Sequence, residues 1–372
     1  MSPVPPDERL ASIDVLRGVA LFGVLMVNLV TGFRVSIFQQ FLPVEAAASA
    51  LDRFAEGLVS LVLESKSLAL FSLLFGVGLA IQFDRLLVRE SAVYWLTRRL
   101  AVLLLFGLVH LLFIWNGDIL TEYALAGFVV LPFLRSPRWM LGLGAASLLA
   151  LYVAMPRLLP WPDAAAMRQH VAEANLVYPT GSLGDVWRFS VREIPLMGLL
   201  LANVFPRTIA LFLLGVVVWR TGVLRNLDRY RTKLAVGAVA GIAAGAGLTA
   251  LNGIWGLGDV VLALGYASAV MALIQVPATA RLLNIFAPIG RMAFTSYVTQ
   301  SLVLGYVFFG YGFGLFGRLG PAHALVVGIC IFVAQMLVSA WWLRRFRFGP
   351  LEWLWRTFTY GRMQPMLVSP AQ

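Results

Sequence analysis

Residues 9–28, RLASIDVLRGVALFGVLMVN, decide the fold. A charged cluster, Arg9, Asp14 and Arg17, opens the stretch; Gly18 follows, then an apolar run whose one polar side chain is Asn28. Asp14 and Arg17 are three apart, so on a helix they share a face and can pair. Charges at the mouth of an apolar helix reach the headgroup layer at little cost. An amide inside such a helix needs a partner, because no water competes there. Two readings stay open. In one, the stretch is the start of a membrane protein: basic flank, apolar core, and an Asn that bonds a neighbouring helix. In the other, the cluster binds a ligand at the cytosolic surface and Asn28 faces a reaction chamber.

Composition points the same way. The 372 residues are 60% hydrophobic and 13% charged, and mean hydropathy is +0.84. A soluble domain cannot hide that much apolar surface, so a polytopic all-α membrane protein is expected, forming one transmembrane domain over 1–372. The only cysteine, Cys330, excludes a disulfide within the chain and a Cys-rich zinc site. With three histidines, His110, His170 and His323, a multi-His metal centre is not expected, and no metal is assigned. The net charge of +11 is not a nucleic-acid signal, because the basic residues stand in short clusters between apolar runs. That pattern reports orientation and contact with anionic membrane lipid. Asp7, Glu8 and the lack of a small-x-small site argue for an uncleaved first helix.

At about 20 apolar residues per span, the sequence reads as about ten membrane helices: 15–33, 68–83, 100–115, 119–134, 140–154, 206–219, 234–251, 259–276, 292–310 and 322–343. The spans 100–115 and 119–134 form a hairpin across 116–118. Residues 51–63 are amphipathic and expected at the interface. The segment 156–206 holds six prolines, residues that break helices, and the tail from Phe348 is rich in tryptophan. With a cytosolic N-terminus, the inside segments carry 20 of the 29 Lys and Arg. The positive-inside rule therefore supports N-in and C-in.

Few polar residues are placed to do chemistry. His110 lies past the midplane of its span, and the hairpin brings Asp118 and Glu122 after it. A His with an acid partner is a general base; a His satisfied by a neighbouring helix is the plainer account. Asp118 also fits a helix cap, and Asp259 is read mainly as one. In 292–310, Arg291, Thr295 and Thr299 share one face, and Ser296 and Gln300 share the adjacent one. Such a stripe glues helices or lines a cavity. Glu352 and Arg356 read as an interfacial i,i+4 pair, and Gly76 and Gly78 as positions where helices approach closely.

The R-x4-D-x2-R-G opening is accompanied by FSLLFGVG (71–78), GLVHLLFIWNGDILTEY (107–123), GRMAFTSYVTQS (290–301) and GPLEWLWR (349–356). Together these resemble the YeiB-like family, a domain-of-unknown-function family (number 418) within the transmembrane acyltransferase superfamily. The signature covers 9–28, and the C-terminal family region about 206–362. Acyltransferase-3 enzymes carry a His where this chain has Asn28; the heparan-glucosaminide acetyltransferase branch has an Asn there. The resemblance implies transfer of an acyl group from cytosolic acyl-CoA to an extracytoplasmic envelope or glycan acceptor. Arg9, Arg17, Arg98, Arg99 and Arg291 would then bind the pyrophosphate, with Asp14, the partner of Arg17, in the same donor-binding set. His110 with Asp118 or Glu122 would deprotonate the acceptor, and Asn28 would bond the developing oxyanion. The alternative is a multi-pass transporter or flippase for a small anionic or amphipathic solute.

Overall fold

The computed structural model describes residues 10–42, 49–87, 91–159, 162–251 and 256–368. Among these there is no sheet; one isolated bridge joins Phe346 to Leu367. The α-helices are α1 (Ala11–Asn28), α2 (Ala50–Val62), α3 (Lys66–Leu87), α4 (Ala92–Phe113), α5 (Leu120–Val130), α6 (Arg138–Leu158), α7 (Ala164–Thr180), α8 (Leu183–Arg220), α9 (Arg231–Ala250), α10 (Leu257–Leu273), α11 (Pro277–Leu283), α12 (Ala287–Arg291), α13 (Ala293–Phe308), α14 (Pro321–Trp342) and α15 (Pro350–Tyr360). Seven described helical segments are long and apolar enough to cross a membrane, or eight if the bent pair 257–273 and 277–291 counts as one span. This is a multi-pass membrane protein. The expected count of about ten additionally takes in α5 and α13, which are only 11 and 16 residues long.

The helices form where the apolar runs are longest, since a backbone in hydrocarbon must satisfy its own polar groups. Most of α1 is buried, so it is a central helix with protein all around it. By contrast α6, α9 and α14 keep large apolar side chains such as Leu143, Val239 and Leu337 exposed, as lipid-facing helices do. Residues 51–63 form the amphipathic helix expected of them. Leu51, Phe54, Leu58 and Leu61 of α2 form an exposed apolar face, and only Ala55 and Val59 are buried. Ser65, at φ +58°, turns the chain from α2 into α3.

One expectation holds only in part. Pro162 lies in the non-helical link ahead of α7, but Pro156 lies inside α6, Pro179 inside α7, and Pro195 and Pro206 inside the 38-residue α8. A proline removes one helix bond and crowds a carbonyl. Neighbours can make that good inside a protein bundle.

Two crossings depend on glycine. A Cβ on Gly290 would stand 1.8 Å from the Asp14 carbonyl oxygen, so α12 meets α1 backbone to backbone. A Cβ on Gly76 would stand 2.2 Å from the Phe212 carbonyl oxygen, where α3 crosses α8. Close approach of this kind replaces the hydrophobic drive that lipid cannot supply. Gly76→Ala should therefore destabilise the protein by about 1–3 kcal/mol. Gly198→Ala, with nothing within 4 Å of its added methyl, should be neutral or mildly stabilising. Thermal unfolding of both variants in one detergent checks the contrast; equal midpoints would refute the packing account.

Candidate functional site

At the end of the bundle that carries Asp14 lies a cavity of about 200 Å³. This is less than the roughly 300–1,000 Å³ of sites for drug-sized ligands, so it admits a narrow chain rather than a nucleotide. Its rim holds four guanidinium groups, Arg17, Arg99, Arg291 and Arg356, against two acids, Asp14 and Glu352. Its walls are apolar: Phe71, Leu74, Phe75, Leu103 and Leu120 among others. Tyr297 and Tyr123 supply phenol rings to the lining.

Several elements build that rim. Arg17 Nη1 lies 3.3 Å from Asp14 Oδ1, the pair expected from the i,i+3 spacing. Gly78 gives the Arg17 guanidinium room, with Nη2 3.5 Å from where its Cβ would be. The Arg99 guanidinium stacks 3.6 Å above the Trp355 ring, whose Nε1 donates to the Arg99 carbonyl at 2.9 Å. Arg356 stands over Phe348 at 4.4 Å. The Glu352 carboxylate accepts the amides of Phe294 (2.8 Å) and Thr295 (3.1 Å) and the Thr295 hydroxyl (2.5 Å), so it caps the start of α13. Burial pushes this carboxyl above its ordinary range, and the Thr295 donors oppose that. Glu352 and Arg356 are thus more than an interfacial pair: α15 helps to wall the cavity. Arg98 belongs elsewhere; it donates to the Phe358 carbonyl at 3.0 Å and does not line the cavity. Arg9 lies outside the described residues.

Behind Tyr297 is a second group. His110 is 1% exposed, Asp118 0% and Ser301 2%. His110 Nε2 is 3.0 Å from Ser301 Oγ. Its Nδ1 is 3.0 Å from Asp118 Oδ1, a close contact whose angle falls short of an aligned hydrogen bond. Asp118 Oδ1 accepts the Leu120 amide at 3.1 Å, and Oδ2 accepts the Thr121 amide at 2.6 Å. Asp118 thus caps α5 and also stands against His110. The Tyr297 ring lies 5.1 Å from the His110 ring, and its hydroxyl accepts the Ile119 amide at 3.3 Å.

Other expected residues go to other places. Glu122 points away from His110 and accepts from the Thr208 hydroxyl at 2.5 Å. Asp259 is not a side-chain cap; it pairs with the buried Lys66 at 2.8 Å, because Gly256 in the left-handed conformation already turns the chain into α10. Asn28 is partly buried where α1 passes into the π turn Leu29–Phe33, and no hydrogen bond joins it to His110, Asp118 or Glu122 among the described residues. The polar stripe of α13 divides by face. Thr299 and Gln300 are glue, bonded to Gln335 of α14 at 2.9 Å each, while Tyr297 and Ser301 turn to α4.

Sequence reasoning missed Ser301, although its i,i+4 spacing from Tyr297 sets both on one face. It also missed a buried carboxylate at the opposite end of the bundle. Glu193 accepts from His170 Nε2 at 2.7 Å, from Asn116 Nδ2 at 2.8 Å and from the Tyr178 hydroxyl. Nearby, Phe33 packs on Trp115 (4.5 Å) and Tyr178 on Phe309 (4.7 Å), an aromatic layer over that end.

Comparison with known proteins places the chain. Residues 218–362 match the family described as protein of unknown function (DUF418). The chain is 34% identical to YxaH of Bacillus subtilis (strain 168), over 98% of each chain. It is 30% identical to YeiB of Escherichia coli (strain K12), over 97% of this chain and 98% of that protein. It is also 30% identical to a 39.9 kDa protein in the amylase 3′ region of Bacillus acidopullulyticus, over 99% of each. End-to-end similarity of this extent makes the chain a member of the YeiB-like DUF418 family.

Proposed function

We propose that the protein is a membrane-embedded acyltransferase that moves an acyl group from cytosolic acyl-CoA to an envelope or glycan acceptor on the other side of a bacterial inner membrane. The observation that carries this is the alignment of an arginine-rimmed narrow cavity with a buried imidazole–carboxylate pair behind one of its walls. The resemblance to the transmembrane acyltransferase superfamily supports it. In this reading both termini are cytosolic, and α5 and α13 join the longer helices to make about ten spans.

The division of labour follows from the chemistry. Guanidinium groups make charge-assisted bonds to phosphate oxygens, so Arg17, Arg99, Arg291 and Arg356 hold the phosphates of CoA at the mouth. The apolar walls take the pantetheine arm and its acyl end. His110 removes the proton of an attacking hydroxyl or amine, and Asp118 holds the ring in place and stabilises the imidazolium. Asn28 is the amide offered to the developing oxyanion.

A second reading has its own observation. Lys66–Asp259, Glu122–Thr208 and the buried Arg207 beneath Tyr152 form a set of polar groups deep in the bundle, as a transporter of a small anionic solute would need. The two part on acyl-CoA. Calorimetric titration of acetyl-CoA and longer acyl-CoAs into protein in nanodiscs should show saturable binding. No binding by folded protein would leave the transporter.

Arg17→Ala should weaken acyl-CoA binding about 10–100-fold, the worth of one charge-assisted contact. Gly78→Leu, which places a side chain beside Arg17 in the cavity, should weaken it comparably without removing a charge. His110→Gln should leave binding intact and lower transfer about 10²–10⁴-fold. Transfer at the wild-type rate in that variant would end the base role.

A further inference from the structure

Three buried side chains from separate stretches of the chain stand in line. Ser301 Oγ on α13 lies 3.0 Å from His110 Nε2 on α4, and His110 Nδ1 lies 3.0 Å from Asp118 Oδ1 ahead of α5. A hydroxyl, an imidazole and an orienting carboxylate in that order are the parts of an activated serine nucleophile, which is recognised by geometry and role rather than by sequence spacing. Asp118 cannot drift, because the first amides of α5 hold both its oxygens. Ser301 has a helix carbonyl at hand, that of Tyr297 at 3.4 Å, yet its shorter contact is to the imidazole. Tyr297 stands one turn before Ser301, and its side chain lines the cavity on one side and the His110 ring on the other. Tyr297 thus stands between the cavity and the imidazole that contacts the serine.

We infer that Ser301 carries the acyl group as a covalent ester between donor and acceptor. This rests on the acyl-transfer reading above and adds a second half-reaction to it. In the first, Ser301 Oγ attacks the thioester carbonyl and the C–S bond breaks. His110 Nε2 takes the hydroxyl proton and passes it to the leaving sulfur, giving the Ser301 ester and free CoA thiol. In the second, an acceptor hydroxyl attacks the ester carbonyl and the bond to Ser301 Oγ breaks. The acceptor's proton goes to His110 and on to Ser301. A fixed carrier suits a sealed bundle, since donor and acceptor then never share the site.

The test uses full-length protein in nanodiscs with acetyl-CoA and no acceptor. Ping-pong chemistry exchanges labelled CoA into acetyl-CoA under these conditions. The expected results are exchange by the wild type and, after acid quench, a hydroxylamine-labile acetyl group on the peptide containing Ser301. Ser301→Ala should lose exchange by more than about 10³-fold with acetyl-CoA affinity unchanged. Ser301→Cys should keep exchange and carry a thioester, which separates loss of the nucleophile from loss of folding. Wild-type protein that binds acetyl-CoA but neither exchanges nor becomes acetylated overturns the covalent carrier and leaves direct transfer standing. Exchange that persists in Ser301→Ala does the same. Failure of the wild type to bind any acyl-CoA overturns the acyl-transfer reading itself.

Discussion

A carboxylate with no exposed surface has to be held on every side, and Asp118 is that carboxylate. Taking such a charge out of water costs several kcal/mol unless donors surround it. Here the Leu120 and Thr121 amides and the His110 ring meet it. Satisfying Asp118 therefore fixes the turn between α4 and α5. Gly107 lets the two helices close on each other, for a Cβ there would stand 2.5 Å from the Thr121 amide. The Ile119 amide in the same turn donates to Tyr297, which ties α13 to the hairpin. One buried charge thus sets the register of three helices, and the Ser301–His110 contact follows from that register.

The same rule governs the other buried charges, each answered at its own level. Lys66 has Asp259 and the Ser60 carbonyl. Glu193 has an imidazole, an amide and a phenol. Glu352 has the start of α13. At the rim of the cavity four guanidinium groups stand with the carboxylates of Asp14 and Glu352.

The class of the fold was legible because apolar length is a strong signal, and the last four expected spans, from 234 onward, agree with α9, α10, α13 and α14 to within a few residues. The path of 156–206 was not legible. A proline at Pro195 or Pro206 ends a helix in water but only bends one inside a bundle, and the neighbours that make the difference lie far away in the chain. At the site, His110 and Asp118 stood out as ionisable groups in an apolar setting, and the structure brings them together. The choice between Asp118 and Glu122 depended on which carboxylate turns to α4, and that is set by Thr208 of α8, 86 residues from Glu122. Ser301 gave no charge to notice. Arg356 and Trp355 looked like membrane anchors because a tryptophan-rich tail usually is one.

The short helices explain why the polar centre can exist at all. α5 has 11 residues and continues as a 3-10 stretch, Leu131–Arg135. At about 1.5 and 2.0 Å per residue these span roughly 26 Å, less than the roughly 30 Å of hydrocarbon. The unpaired amides of its first turn therefore open inside the protein, under the aromatic layer of Phe33 and Trp115, rather than at the lipid boundary. A full-length helix would present those amides to headgroups and water, where they hold no buried charge. Because α5 starts late, its N-terminus is a donor site at depth. Asp118 occupies that site, His110 is drawn to Asp118, and Ser301 to His110. The aromatic layer on one side and Tyr297 on the other seal this chain of contacts. Either barrier has to move before a substrate reaches it, and Tyr297, one side chain thick and already facing the cavity, is the smaller movement.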